Sequence, residues 1–196
     1  MGSLLATLSA ALEARDPYLR GHSARVTLIA EGLARRLGWR GEPLDALRLG
    51  GALHDVGKIA VNSSVLRKPG ALTEEELAQI RTHPVAGARL IEAVEDFRPA
   101  LPYVLHHHER WDGAGYPHGL RGEEIPVEAR LLGVADAFDA MTSDRSYRPA
   151  LLVEQALAEL ERCAGSQFDP ELAETFVAGW RAGHVTPAEP PIRVAS

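Results

Sequence analysis

The apolar residues of this chain recur at helical spacing, and in several places the stripe is continued by a histidine or an aspartate instead of an aliphatic side chain. Val26, Ile29, Leu33 and Leu37 form one such stripe, and one turn before Val26 the same face carries His22. Leu131, Leu132, Ala135 and Phe138 form another, with Asp136 four residues after Leu132 on the inward side. No period-two alternation persists, so the pattern predicts an all-α bundle rather than a sheet protein. Polar side chains then meet between the helices.

Proline, glycine and capping residues divide the chain into these helices. Leu4, Leu5, Leu8, Ala11 and Leu12 mark a first helix, and Asp16-Pro17 starts the one that bears His22. Pro43 opens a third, through Leu44, Leu47 and Leu53, which places His54 and Asp55 on its last turn before Gly57. Thr73 with Glu76 forms a capping-box pattern. His83-Pro84 ends that helix and opens the next, through Leu90, Ile91 and Val94. Leu101 to Leu105 leads directly into His106-His107-His108-Glu109, and the Gly- and Pro-containing stretch from Trp111 to Pro126 is a long loop. Loops of that length inside compact domains are commonly functional. Residues 153–163 and 170–182 complete the helical pattern. We expect one domain over residues 1–184, its first helix a possible link to an upstream segment, and a Pro-containing, frayed tail over 185–196.

Composition narrows the class further. With 45% hydrophobic and 24% charged residues the chain is globular, and no apolar run reaches membrane-span length. The N-terminus lacks the features of a secretory signal. Cys163 is the single cysteine, so a disulfide framework and a thiolate metal site are both excluded and a reducing, cytoplasmic setting is expected. A net charge of −6 offers no general basic field for long nucleic acids, so an anionic ligand needs locally placed cations. Of the 21 basic side chains only Lys58 and Lys68 are lysines.

Five of the eight histidines, His22, His54, His83, His107 and His108, fall at helix ends or on apolar faces. A lone buried histidine is more often a hydrogen-bonded core residue than a ligand, but the adjacent pairs change that balance. His54-Asp55 can direct two donors towards neighbouring ions, with the carboxylate between them. His107-His108 presents two imidazoles from one stretch of backbone. Imidazole with carboxylate and no cysteine suits manganese, iron or zinc.

His54-Asp55-Val56-Gly57-Lys58-Ile59 resembles the HD-superfamily signature. The run His107-His108-Glu109-Arg110-Trp111-Asp112-Gly113-Ala114-Gly115-Tyr116-Pro117 resembles the second signature of the HD-GYP subgroup. Arg15-Asp16-Pro17-Tyr18, Lys68-Pro69-Gly70, His83-Pro84, Val134 to Ala140, Ser143-Asp144-Arg145 and Phe168-Asp169-Pro170 match the same family in order, over roughly residues 10–180. The resemblance implies an HD-type helical bundle and hydrolysis of cyclic di-GMP to pGpG, with GMP as a further product. It implies metal ligation by His22, His54, Asp55 and Asp136 at one ion and by Asp55, His83, His107 and His108 at the other. Asp55 then bridges two divalent ions, iron or manganese being expected, which together make hydroxide available for attack on a phosphodiester.

By the same resemblance Lys58 holds a phosphate oxygen or the departing group, Arg145 and Arg148 grip phosphate or guanine, and Tyr116 contacts substrate. Asp112 and Asp139 read as supports for the loop and the ligands, His106 as turned away, and His118 and His184 as exposed. Relatives with a third ion resemble one another in having glutamate four residues before the first ligand histidine; here that position is Tyr18, so two ions are expected. The expected partner is a cyclic dinucleotide, with room for a sensory or receiver partner and for a homodimer, and with no membrane or long nucleic acid. The alternatives are an HD-type phosphohydrolase of another nucleotide and a non-catalytic cyclic-dinucleotide receptor.

Overall fold

The computed structural model describes residues 7, 12, 15, 20–144 and 149–185. Helices α1 (His22–Arg36), α2 (Glu42–Leu53), α3 (Ser63–Leu66), α4 (Glu74–Ile80), α5 (His83–Glu92), α6 (Leu101–His106), α7 (Val127–Thr142), α8 (Val153–Arg162) and α9 (Pro170–Arg181) follow in order. Short 3-10 turns occupy Val56–Ala60, Glu95–Ala100 and Gly122–Glu124. Among the described residues the only β pairing is an isolated bridge between Ala164 and Phe168, as the all-α reading expects.

The helix boundaries follow local chemistry. Pro43, Pro84 and Pro170 sit in first turns, where a missing N–H costs nothing. Thr73 and Glu76 close a reciprocal capping box at α4, and Asp169 accepts from the Glu171 and Leu172 amides to cap α9. The third predicted helix ends slightly earlier than its pattern suggests: α2 stops at Leu53, His54 is its C-cap, and Asp55 precedes the 3-10 turn. Gly57 explains the tight turn. A Cβ there would collide with the His83 carbonyl, so only glycine lets the chain after Asp55 press against the start of α5.

Helix α1 packs against both α2 and α7, α5 lies against the 56–60 turn and α6, and α6 contacts α7. The five segments that carry the predicted ligands are therefore neighbours. One apolar cluster joins Val26, Ile29 and Leu33 of α1 to Leu132 and Phe138 of α7 and Phe176 of α9. A smaller one joins Leu53, Val56, Ile91, Phe97 and Val104, with Leu12 buried against it. The predicted first helix lies outside the described residues, apart from Thr7, Leu12 and Arg15, which are helical, and Asp16, Pro17 and Tyr18, at the predicted start of the second helix, lie outside them too. Val185, placed by the sequence at the start of the tail, is buried in the larger cluster beside Gly32 and Gly179.

Candidate metal centre

The ends of α1, α2, α5 and α6 and the middle of α7 bring seven side chains to one place: His22, His54, Asp55, His83, His107, His108 and Asp136. Asp55 is central. Its Oδ2 lies 3.9 Å from His22 Nε2 and 3.5 Å from His54 Nε2, while Oδ1 lies 3.4 Å from His83 Nε2. Asp55, His83, His107 and His108 offer ligand atoms all within 4.8 Å of one another, and so do His22, His54 and Asp55. The carboxylate is thus common to two donor groups. Asp136 joins on the second side, with Oδ1 3.2 Å from His22 Nε2.

Backbone carbonyls fix which nitrogen of each ring faces the cluster. His54 Nδ1 bonds the Gly51 carbonyl at 2.8 Å, His83 Nδ1 that of Ile80 at 2.8 Å, and His107 Nδ1 that of Tyr103 at 3.0 Å. A carbonyl can only accept, so each Nδ1 carries the proton and each Nε2 presents its lone pair. These acceptors lie three or four residues before their histidines, near the ends of helices, and the Tyr103 carbonyl also accepts the His107 amide at 3.2 Å. Helix termination and ligand orientation are one event here.

His22 is oriented by a side chain instead. Its Nδ1 bonds Asp139 Oδ2 at 2.7 Å, and Arg25 donates to both Asp139 oxygens at 2.6 and 3.0 Å. Asp139 therefore orients a predicted ligand, His22, as its position one turn beyond Asp136 allows. Arg25 was not singled out from the sequence, although it follows His22 by three residues on the same face.

The electrostatics divide the same way. Burial is the main cause lowering His83 to about 4 and His108 to about 3, and it holds His107 well below its ordinary value, so these rings are neutral donors. Burial also disfavours charge on His22, but its bonds to Asp136 and Asp139 and the field of Asp55 outweigh this and raise it to about 9. Burial opposes ionisation of Asp55 too, yet Lys58 and the surrounding imidazoles hold its carboxyl well below the usual range. The His22 side is thus an acidic hollow calling for positive charge, and the His107 side a set of lone pairs. His54 Nε2 is buried with no hydrogen-bond partner, a costly state that cation ligation relieves. The donor set fits divalent metal binding.

Lys58 donates to Asp55 Oδ2 at 2.7 Å and lines a hollow of about 230 Å³ over the cluster, together with His22, His83, His108, Tyr116 and Asp136. A second hollow of about 550 Å³ adjoins it through His108, Tyr116, Asp136 and Ala140, and extends to Trp111, Arg130 and Gln167. Tyr116 stacks on His108 at 4.8 Å between ring centres, under Arg81. Two carboxylates brace its loop. Asp112 pairs with Arg110 and accepts from the Ala114 amide, and Glu109 accepts from the His118 and Leu120 amides at 2.8 and 3.1 Å. Gly115 backs directly onto Glu109 and Arg110, where a Cβ would clash. His106 turns away from the cluster and faces His118, and His184 is exposed beside Arg36. Arg145 and Arg148 lie outside the described residues.

The HD domain family matches residues 6–172 of the chain. The chain is 40% identical over 177 residues to the cyclic di-GMP phosphodiesterase response regulator RpfG of Xanthomonas campestris, which covers 89% of this chain and 47% of that protein. It is 36% identical to the 3'3'-cGAMP-specific phosphodiesterase 2 of Vibrio cholerae, over 90% of this chain and 34% of the other. The chain thus spans about a third to a half of the length of these relatives. Among solved structures, the cyclic GMP-AMP phosphodiesterase V-cGAP3 of V. cholerae superposes with a TM-score of 0.64 at 22% identity, over 91% of this chain and 48% of that one. That likeness speaks for the fold. With its His54-Asp55 pair, its paired His107-His108 and Gly115-Tyr116-Pro117 all in the fold that this family shares, the chain belongs to the HD domain family, in its HD-GYP form.

Proposed function

We propose that the chain is the hydrolytic unit of a metal-dependent cyclic dinucleotide phosphodiesterase, converting cyclic di-GMP to pGpG. The observation that carries this reading is the Asp55 carboxylate, with Oδ2 towards His22 and His54 and Oδ1 towards His83. Two divalent ions, iron or manganese, would be held by His22, His54, Asp55 and Asp136 and by Asp55, His83, His107 and His108. Bound there, they would acidify water and offset the charge that builds on a phosphodiester.

The chain's own groups do the rest. The carbonyls of Gly51, Ile80 and Tyr103 keep three imidazoles in the ligating tautomer. Lys58 stands against Asp55 at the rim of the smaller hollow, positioned to neutralise a phosphate oxygen or the departing alkoxide. The larger hollow, with Trp111, Tyr116 and Arg130, suits a nucleobase. Arg145 and Arg148 are assigned to the substrate's phosphate or guanine on the sequence resemblance. The chain works in the cytoplasm under a sensory or receiver partner; in the described residues no helix is long and apolar enough to cross a membrane.

A second reading is favoured by the V. cholerae relatives named for 3'3'-cGAMP, namely that a mixed cyclic dinucleotide is the preferred substrate. The test is anaerobic purification, elemental analysis and turnover of cyclic di-GMP, 3'3'-cGAMP and a nucleoside monophosphate on one sample. Fastest turnover of cyclic di-GMP is expected. Faster turnover of 3'3'-cGAMP selects the second reading. Tight binding without turnover, with iron or manganese loaded, makes the chain a receptor instead.

A further inference from the structure

We propose a second, separate metal site formed by His106, Glu109 and His118, taking a zinc(II)-like divalent transition-metal ion. Ligand atoms of these residues all lie within 4.8 Å of one another. His106 Nδ1 is 3.9 Å from Glu109 Oε1, and the His106 and His118 rings are 5.4 Å apart between centres. The three share no residue with the cluster around Asp55, and His106 turns away from it.

Two features set the group apart from a chance surface cluster. First, His106 Nδ1 is buried and has no hydrogen-bond partner, so a nitrogen shut off from water faces a carboxylate beyond direct bonding distance. An ion between them gives both groups a partner. Second, Glu109 is already fixed. Its oxygens accept from the amides of His118 and Leu120, and each carboxylate oxygen keeps a further lone pair for a cation. The bond at the His118 amide also anchors the backbone of the third ligand. Two imidazoles and a carboxylate, with one imidazole exposed, are a zinc set with an open position.

Such an ion ties the last turn of α6, which leads directly into His107 and His108, to the loop that carries Tyr116. It is a staple for the substrate loop and takes no part in the chemistry. Binding is tested by equilibrium dialysis of the full chain against zinc buffered at a fixed free concentration, followed by elemental analysis. Zinc taken up by the Asp55 cluster is common to all samples and cancels in the comparison. His118→Ala, which keeps the backbone bond to Glu109, should bind about one equivalent less than the unmodified chain. His106→Ala and the double variant should show the same deficit and no more. Crystals grown with zinc should show an anomalous peak between His106 and His118. Undiminished zinc content in His118→Ala, or no peak there at occupied zinc concentrations, overturns the proposal even if His106→Ala does not fold.

Discussion

Helix α7 borders two regions built on opposite principles. One face sends Leu131, Leu132, Ala135 and Phe138 into a core shared with α1 and α9, where Phe138 meets Phe176 and Trp180 at 5.1 and 4.4 Å between ring centres. The other sends Asp136 and Asp139 towards His22. The apolar side depends on volume, and exchanges among aliphatic and aromatic residues there are graded in cost. The polar side depends on hydrogen-bond direction. His22, His54 and His83 are each held by one acceptor and His107 by two carbonyls, and shifting an acceptor redirects a lone pair. Stability therefore belongs mainly to the first region and metal chemistry to the second.

The largest expected effect comes from cutting the centre of the polar region. Asp55→Ala should lower turnover by roughly 10³-fold or more and strip bound metal, because one carboxylate serves both donor groups. Lys58→Ala should slow turnover and leave metal content intact; equal metal loss in both variants would mean that Lys58 supports the ligands rather than the substrate. Elemental analysis beside turnover reads both.

In the apolar region, Phe176→Ala should cost about 3–5 kcal/mol of stability, seen as a lowered denaturation midpoint, with the metal content of the folded protein unchanged. Phe176 is fully buried in the apolar cluster, with its ring against Phe138 and Trp180. Metal loss in the folded variant would show that the two faces of α7 are not independent.

The smallest effect expected lies on the boundary. Asp139→Asn should weaken metal affinity about 10–100-fold by loosening His22, without removing a ligand. Competition with a chelator measures it, and an unchanged affinity would show that the Asp139 bond does not tune the site.

Much of this was legible because the chemistry sits where helices stop. Pro43, Pro84, Thr73 and Asp169 announce the helix starts by mechanisms local to a few residues. The same punctuation placed His54-Asp55 and His107-His108 at ends and His22 on an inward face. What could not be read is set by packing between distant segments. Arg25 reaches Asp139 across 114 residues of sequence, Arg130 reaches Asp169 across 39, and Val185 is buried by α1 and α9. No periodicity encodes such pairs. The 3-10 turn after Asp55 was hidden for a related reason, since Gly57 is required by the His83 carbonyl and not by its own neighbours in sequence. Two of the predicted substrate residues, Arg145 and Arg148, and Tyr18 lie outside the described residues and stay with the sequence argument.

The central claim is that Asp55 joins two metal positions, and anomalous scattering from crystals grown with excess manganese tests it most directly. Two peaks should flank the Asp55 carboxylate, one beside His22, His54 and Asp136 and the other beside His83, His107 and His108. A single peak, or two peaks of which Asp55 touches one only, would contradict the shared carboxylate; a third peak within the cluster would contradict the count of two.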